Sequence, residues 1–136
     1  MPGDAHCVDI DRVLGLLHVI EGVGGAADPV YHLNGQWHDE VRAALSMGLA
    51  ELRGGLVALT PDGEAALAGD VRALREAVLR SPALREVIAR LRAARILGTG
   101  DPETSCAAAW LVAAGLAAWD PDAGLVWVRG PAGPRA

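Results

Sequence analysis

Seven arginines fall between residues 72 and 95: Arg72, Arg75, Arg80, Arg85, Arg90, Arg92 and Arg95. Only Asp70, Glu76 and Glu86 stand among them. A guanidinium is a planar fork of donors that suits carboxylates. The stretch therefore reads either as a solvated helix face with pairs such as Arg72–Glu76, or as a docking surface for an acidic partner. Arg85 and Arg92 are the residues on which the second reading is placed.

The other reactive side chains are scattered. Cys7, Cys106, His18, His32 and His38 are metal-ligand types, but none has motif spacing. His6-Cys7 near the terminus, and His32 with His38 across a turn, would have to be gathered by the fold. Two cysteines do not make a disulfide framework, so reduced thiols are expected, with Cys106 in the core. Trp110, Trp119 and Trp127 cluster late in the chain. Trp110 is expected inside. Trp119 or Trp127, if exposed, would anchor a protein interface, and a homodimer through that ribbon is the expectation for it.

Catalytic motifs are missing from the sequence. All twelve fixed positive charges are arginines. A phosphate-binding loop ending in Lys-Ser or Lys-Thr therefore cannot be built. Gly22 to Gly25 and Gly98 to Gly100 read as helix stops. There is no Gly-x-Ser-x-Gly elbow. No enzyme activity, cofactor or metal is assigned. The formal charge of −5 argues against a nucleic-acid partner.

The elements that must position these side chains can be read from caps and periodicity. Asp9 caps a helix to about Glu21, with Val13, Leu16, Leu17 and Ile20 inward. Asp28-Pro29 opens a short turn of helix, and Asn34-Gly35 a turn. A helix runs from Trp37 to Met47, with Val41, Ala44, Leu45 and Trp37 inward, and stops at Gly48. Leu49 to Leu52 and Leu56 to Leu59 form a ribbon around Gly54-Gly55.

Thr60-Pro61 starts a helix expected to continue to Leu79, with Leu67, Val71, Leu74 and Val78 on one stripe. Ser81-Pro82 starts another, expected to stop at Gly98. Asp101-Pro102 starts a third, ending at Gly115. Leu116 to Trp119 and Leu125 to Val128 form a second ribbon. The tail from Gly130 to Ala136 is expected to be disordered. The terminus before Arg12 has no signal-peptide pattern. No apolar run reaches the ~20 residues needed to span a bilayer, so no membrane insertion is expected.

The two ribbons form an internal repeat. Met47-Gly48-Leu49-Ala50 aligns with Ala114-Gly115-Leu116-Ala117, Leu56 to Leu59 with Leu125 to Val128, and Asp28-Pro29 with Asp101-Pro102. The predicted fold is mainly α (α+β), with tandem winged-helix-like lobes, each bearing a small antiparallel ribbon. Residues 1–80 make the first lobe and connecting helix, and residues 81–129 the second. One such lobe buries too little alone, so the two should pack together. A winged helix invites a DNA reading. The helices ahead of the ribbons carry His38, Asp39, Glu40 and Arg42, or Glu103, Thr104 and Ser105, and neither is basic.

The pattern Val13-Leu14-Gly15-Leu16-Leu17, Gly24-Gly25, Asp28, Gly48-Leu49-Ala50-Glu51, Gly55-Leu56-Val57 and Leu59-Thr60-Pro61-Asp62-Gly63 resembles a known family. So do Leu84, Ile88, Leu91, Trp110, Trp119-Asp120, Asp122 and Gly124. The family is the AAA-associated domain that follows the ATPase domain in nitrate/sulfonate/bicarbonate-type ABC transporter ATP-binding subunits. The likeness covers most of residues 8–128, and no single motif in it is diagnostic. Between Asp28 and Gly48 the chain is shorter than that family, so the helix there is expected to shrink to a turn. The resemblance implies a cytoplasmic, non-catalytic regulatory module, with an ABC transporter ATPase or permease as partner. The alternative is a winged-helix transcription regulator.

Overall fold

The first helix, α1 (Ile10–Gly22), is set by its cap and its stripe. The Asp9 carboxylate accepts from the Asp11 amide, and Val13, Leu16, Leu17 and Ile20 are fully buried. Burying such side chains contributes about 1.5–3 kcal/mol each. Residues 6–129 are described in this computed structural model. The tail of residues 130–136, expected to be disordered, lies outside them.

After α1 the chain makes a two-residue strand, β1 (Ala26–Ala27), then the turns of residues 29–35. The Asp28 carboxylate accepts from the Val30 and Tyr31 amides at 2.9 Å. As expected, this segment is turn rather than a full helix. It leads into α2 (His38–Ser46), β2 (Ala50–Arg53) and β3 (Leu56–Leu59). β3 lies between β1 and β2, antiparallel to both.

The long helix expected from Pro61 to Leu79 is two helices, α3 (Pro61–Leu67) and α4 (Val71–Arg80). Asp70 makes the break. Its carboxylate accepts from the Arg72 and Ala73 amides and caps α4 afresh. The restart turns Val71 out of the expected stripe: it is exposed, while Leu74 and Val78 are buried. Ser81 then ends α4 and caps α5 (Pro82–Ala94), accepting from the Leu84 amide.

The α5 helix stops at Ala94, short of the expected Gly98. Arg95 turns left-handed (φ 73°) and Ile96–Gly98 becomes a strand, β4. Pairing takes these residues from the helix: Ile96 lies across from Trp127 and Leu97 across from Val126. α6 (Pro102–Ala113) follows, capped by Asp101, then β5 (Ala117–Asp120) and β6 (Leu125–Val128). β6 lies between β4 and β5.

Each half therefore runs helix, strand, helix, strand, strand, and the two sheets share one strand order. This is a mainly α (α+β) fold of tandem winged-helix-like lobes. A single apolar core runs through both, from Val13 and Leu49 to Leu111 and Val126. α4 packs on α3, α5 and α6, so the connector is a central strut. Among the described residues, no helix is long and apolar enough to cross a membrane.

Candidate functional site

The seven arginines divide into two sets. Arg75 Nε donates to the Ala114 carbonyl and Arg80 Nη1 to the Met47 carbonyl, each at 3.2 Å. Arg80 also pairs with Asp62 at 3.0 Å and Glu76 at 3.4 Å. The expected Arg72–Glu76 pair does not form, because Arg80, one turn further on, takes the Glu76 carboxylate. These two arginines hold the lobes together. Arg72, Arg85, Arg90, Arg92 and Arg95 face solvent.

Arg85 and Arg92 sit on α5, which buries Ala83, Leu84, Val87 and Leu91. Seven residues apart, they lie two turns and about 10 Å from each other on one side of the helix. Neither makes an ion pair among the described residues. Arg92 borders a crevice of about 120 Å³ lined by Ile88, Leu91, Leu111, Leu116, Val128 and Arg129. The crevice is aliphatic inside and has a guanidinium at two points of its rim.

The tryptophans do not join this site. Trp110 is buried and its Nε1 donates to the Val8 carbonyl at 2.7 Å. Trp119 is half-buried and donates to Thr99 Oγ1 at 3.2 Å. It lines a different cavity, with Asp9, Ile10, Pro102, Ser105, Cys106 and Ala109. Trp127 is also half-buried, across from Ile96 and Ala118. Neither Trp119 nor Trp127 stands free as an exposed anchor.

Comparison with protein-family models, with curated proteins and with solved structures gives no match. The geometry of the chain itself therefore carries the functional argument.

The expectation of reduced thiols is corrected. Cys7 and Cys106 form a disulfide with their Cα atoms 6.1 Å apart. Sequence reasoning missed it because the two lie 99 positions apart, and only the packing of the N-terminal segment on α6 brings them together. That segment has two further ties to α6. The Cys7 amide donates to the Glu103 carboxylate at 2.7 Å, and Trp110 donates to the Val8 carbonyl. The segment is a strap running from the start of α1 across the second lobe.

The histidines are not gathered into a site. His18 lies 3.9 Å from Glu21, and His32 Nδ1 accepts from the Asp28 amide at 2.8 Å. His38 is exposed. No three His, Cys, Asp or Glu side chains among the described residues are placed to hold a metal ion.

The helices ahead of the ribbons also resolve. In α2, Glu40 is buried and paired with Arg12 at 2.5 Å. That bond and the nearby Asp9 and Asp39 raise the Arg12 guanidinium above its usual range. In α6, Thr104, Ala107, Ala108, Trp110 and Leu111 are buried. α6 packs against α1, α4 and α5.

Proposed function

We propose that this chain is a non-catalytic module that docks an acidic protein partner through the α5 face bearing Arg85 and Arg92. The observation that carries the reading is the pair of exposed guanidinium groups, without ion-pair partners among the described residues, on one side of a helix beside an apolar crevice. A helix capped at Ser81 and packed along four buried positions presents its charges at fixed spacing. Less side-chain and backbone freedom is then lost on binding. An aliphatic floor with a charged rim matches the anatomy of protein interfaces.

The likeness to the accessory domain of ABC transporter ATPases agrees with this reading and suggests an ATPase or permease subunit as the partner. It also implies a cytoplasmic location. There, the Cys7–Cys106 pair would be exposed to the reducing thiol pool.

The test is capture of the partner from the native host by the immobilised chain, with Arg85→Glu and Arg92→Glu together as the comparison. Loss of the captured species on charge reversal supports the reading. Unchanged capture overturns it.

Duplex recognition is the second reading, and the winged-helix strand order favours it. The helices that would enter a groove do not. α2 presents His38 and Asp39 beside Arg42, and α6 carries no basic side chain and buries Thr104, Ala107, Ala108, Trp110 and Leu111. A mobility-shift titration at low salt decides between the two: tight binding that weakens steeply with salt selects DNA.

A further inference from the structure

The repeat points to what fills the crevice on the second lobe. Val13, Leu16, Leu17 and Ile20 of α1 have the same spacing as Leu84, Val87, Ile88 and Leu91 of α5. Leu49 follows Gly48 as Leu116 follows Gly115. Leu59 ends β3 as Val128 ends β6. The crevice residues Ile88, Leu116 and Val128 therefore correspond to Leu17, Leu49 and Leu59.

The first-lobe set is covered: Leu17 and Leu49 are 0% exposed and Leu59 is 7% exposed. The cover is α3, which leaves β3 directly and packs on α1. Its Gly63 lies so close to the Leu49 carbonyl oxygen and Leu59 that a Cβ would collide there. The second-lobe set is only half-buried and opens onto the crevice. No described helix follows β6. Residues 130–136 have no acidic side chain and nothing apolar larger than proline, and their one charged side chain, Arg135, matches the rim in sign.

We infer that the crevice between α5, α6 and β6 receives a short acidic helix from the partner, seated where α3 sits on the first lobe. This rests on the docking reading above and names the segment that docks. α3 shows the chemistry that fits. Thr60 caps it, Asp62 and Glu64 occupy its first turn, and Gly63 and Ala66 face inward. In the first lobe, Asp62 already pairs with an arginine, Arg80. On the second lobe, Arg92 and Arg129 supply the positive charge. The partner segment then has a Ser, Thr or Asp cap, carboxylates in the next turn, and a small residue toward Leu116.

The probe is a helix-stapled peptide of the sequence Thr60 to Leu67, added to the full chain and followed by amide chemical shifts. Saturable shifts centred on Ile88, Leu116, Val128 and Arg129 are expected. Arg92→Glu with Arg129→Glu should weaken binding by about tenfold, as the loss of two exposed ion pairs implies. A peptide with arginine in place of both carboxylates should prefer that variant. Ile88→Trp should fill the crevice and block the peptide while leaving the thermal midpoint unchanged. The surface charge reversals keep the test valid if Ile88→Trp fails to fold.

Absent shifts, shifts elsewhere, or indifference to charge reversal overturn the inference. Concentration-dependent shifts at these same amides without peptide would overturn it in favour of a second copy. Tighter peptide binding after removal of residues 130–136 would overturn it in favour of the chain's own tail. If the peptide fails while Arg85→Glu with Arg92→Glu still abolishes capture, the crevice assignment falls and the docking face stands. If the peptide binds while capture is unchanged, the docking face falls.

Discussion

Arg75 and Arg80, five residues apart on α4, make the same contact to the two halves of the molecule. Each donates to the last carbonyl before a glycine at φ 73°: Ala114 before Gly115, and Met47 before Gly48. One strut thus closes the C-terminal ends of α6 and α2. Those ends leave carbonyls without partners inside the helix, and a cation there also meets the negative end of the helix dipole. Arg75→Ala and Arg80→Ala should each lower unfolding stability by about 1 kcal/mol. The contacts share no partner, so the double variant should be close to additive. Urea unfolding of the four proteins measures this.

Gly48 and Gly22 should respond oppositely to alanine. A Cβ at Gly48 would sit 2.7 Å from Arg80 Nη1, on a left-handed backbone. Gly48→Ala should cost about 1–2 kcal/mol. Gly22 ends α1 with open space around it and a backbone any residue adopts, so Gly22→Ala should be neutral or stabilising by up to about 1 kcal/mol. Thermal midpoints of the two variants test the contrast.

The Cys7–Cys106 bond closes a loop of 99 residues in the unfolded chain. Its loss should cost about 2–4 kcal/mol, most of it through the unfolded state. Cys7→Ser with Cys106→Ser should therefore unfold at lower urea than the oxidised protein and match the protein treated with a dithiol reductant. A midpoint unmoved by reductant would show that the bond does not stabilise the fold.

Acid should loosen two caps. The Asp28 carboxyl is held below its usual range by the Tyr31 and Val30 amides. The Asp101 carboxyl is held low by the Thr104 amide and hydroxyl, with help from Arg90. A carboxyl depressed in the folded state stabilises above its unfolded value of about 3.9. That contribution fades as pH falls toward the lower folded value. Asn also caps well. Asp28→Asn with Asp101→Asn should therefore change neutral-pH stability little and flatten the decline below about pH 4. Unfolding midpoints across that range provide the check.

Most of the fold can be read from caps. Asp9, Thr60-Pro61, Ser81-Pro82 and Asp101-Pro102 each start a helix, because side-chain oxygens followed by Pro or an acid leave few alternatives. The two ribbons were legible from the turns Arg53-Gly54-Gly55 and Asp120-Pro121-Asp122-Ala123-Gly124 between apolar runs. β1 and β4 were not: two or three residues carry no alternation, and their extended form comes from pairing with β3 and β6. The restart at Asp70 was readable, since Gly69-Asp70 is a stop followed by a cap. For the site, sequence marked Arg85 and Arg92 as charge, but not the aliphatic crevice beside Arg92. Ile88, Leu116 and Val128 come from three distant elements, and only packing leaves them half-covered.

The strap also decides how the molecule would bear a pull on its ends. With Cys7 joined to Cys106, tension applied at the two termini runs through the sulfur bridge and bypasses the ninety-eight residues between them. α1 to α5 and the whole first sheet stay slack. Load falls on the rest of α6 and on the second ribbon, whose strand β6 would be drawn out first. Reduction of the bridge would reroute that force through the strut and the first lobe, turning a short, stiff tether into a long, extensible one.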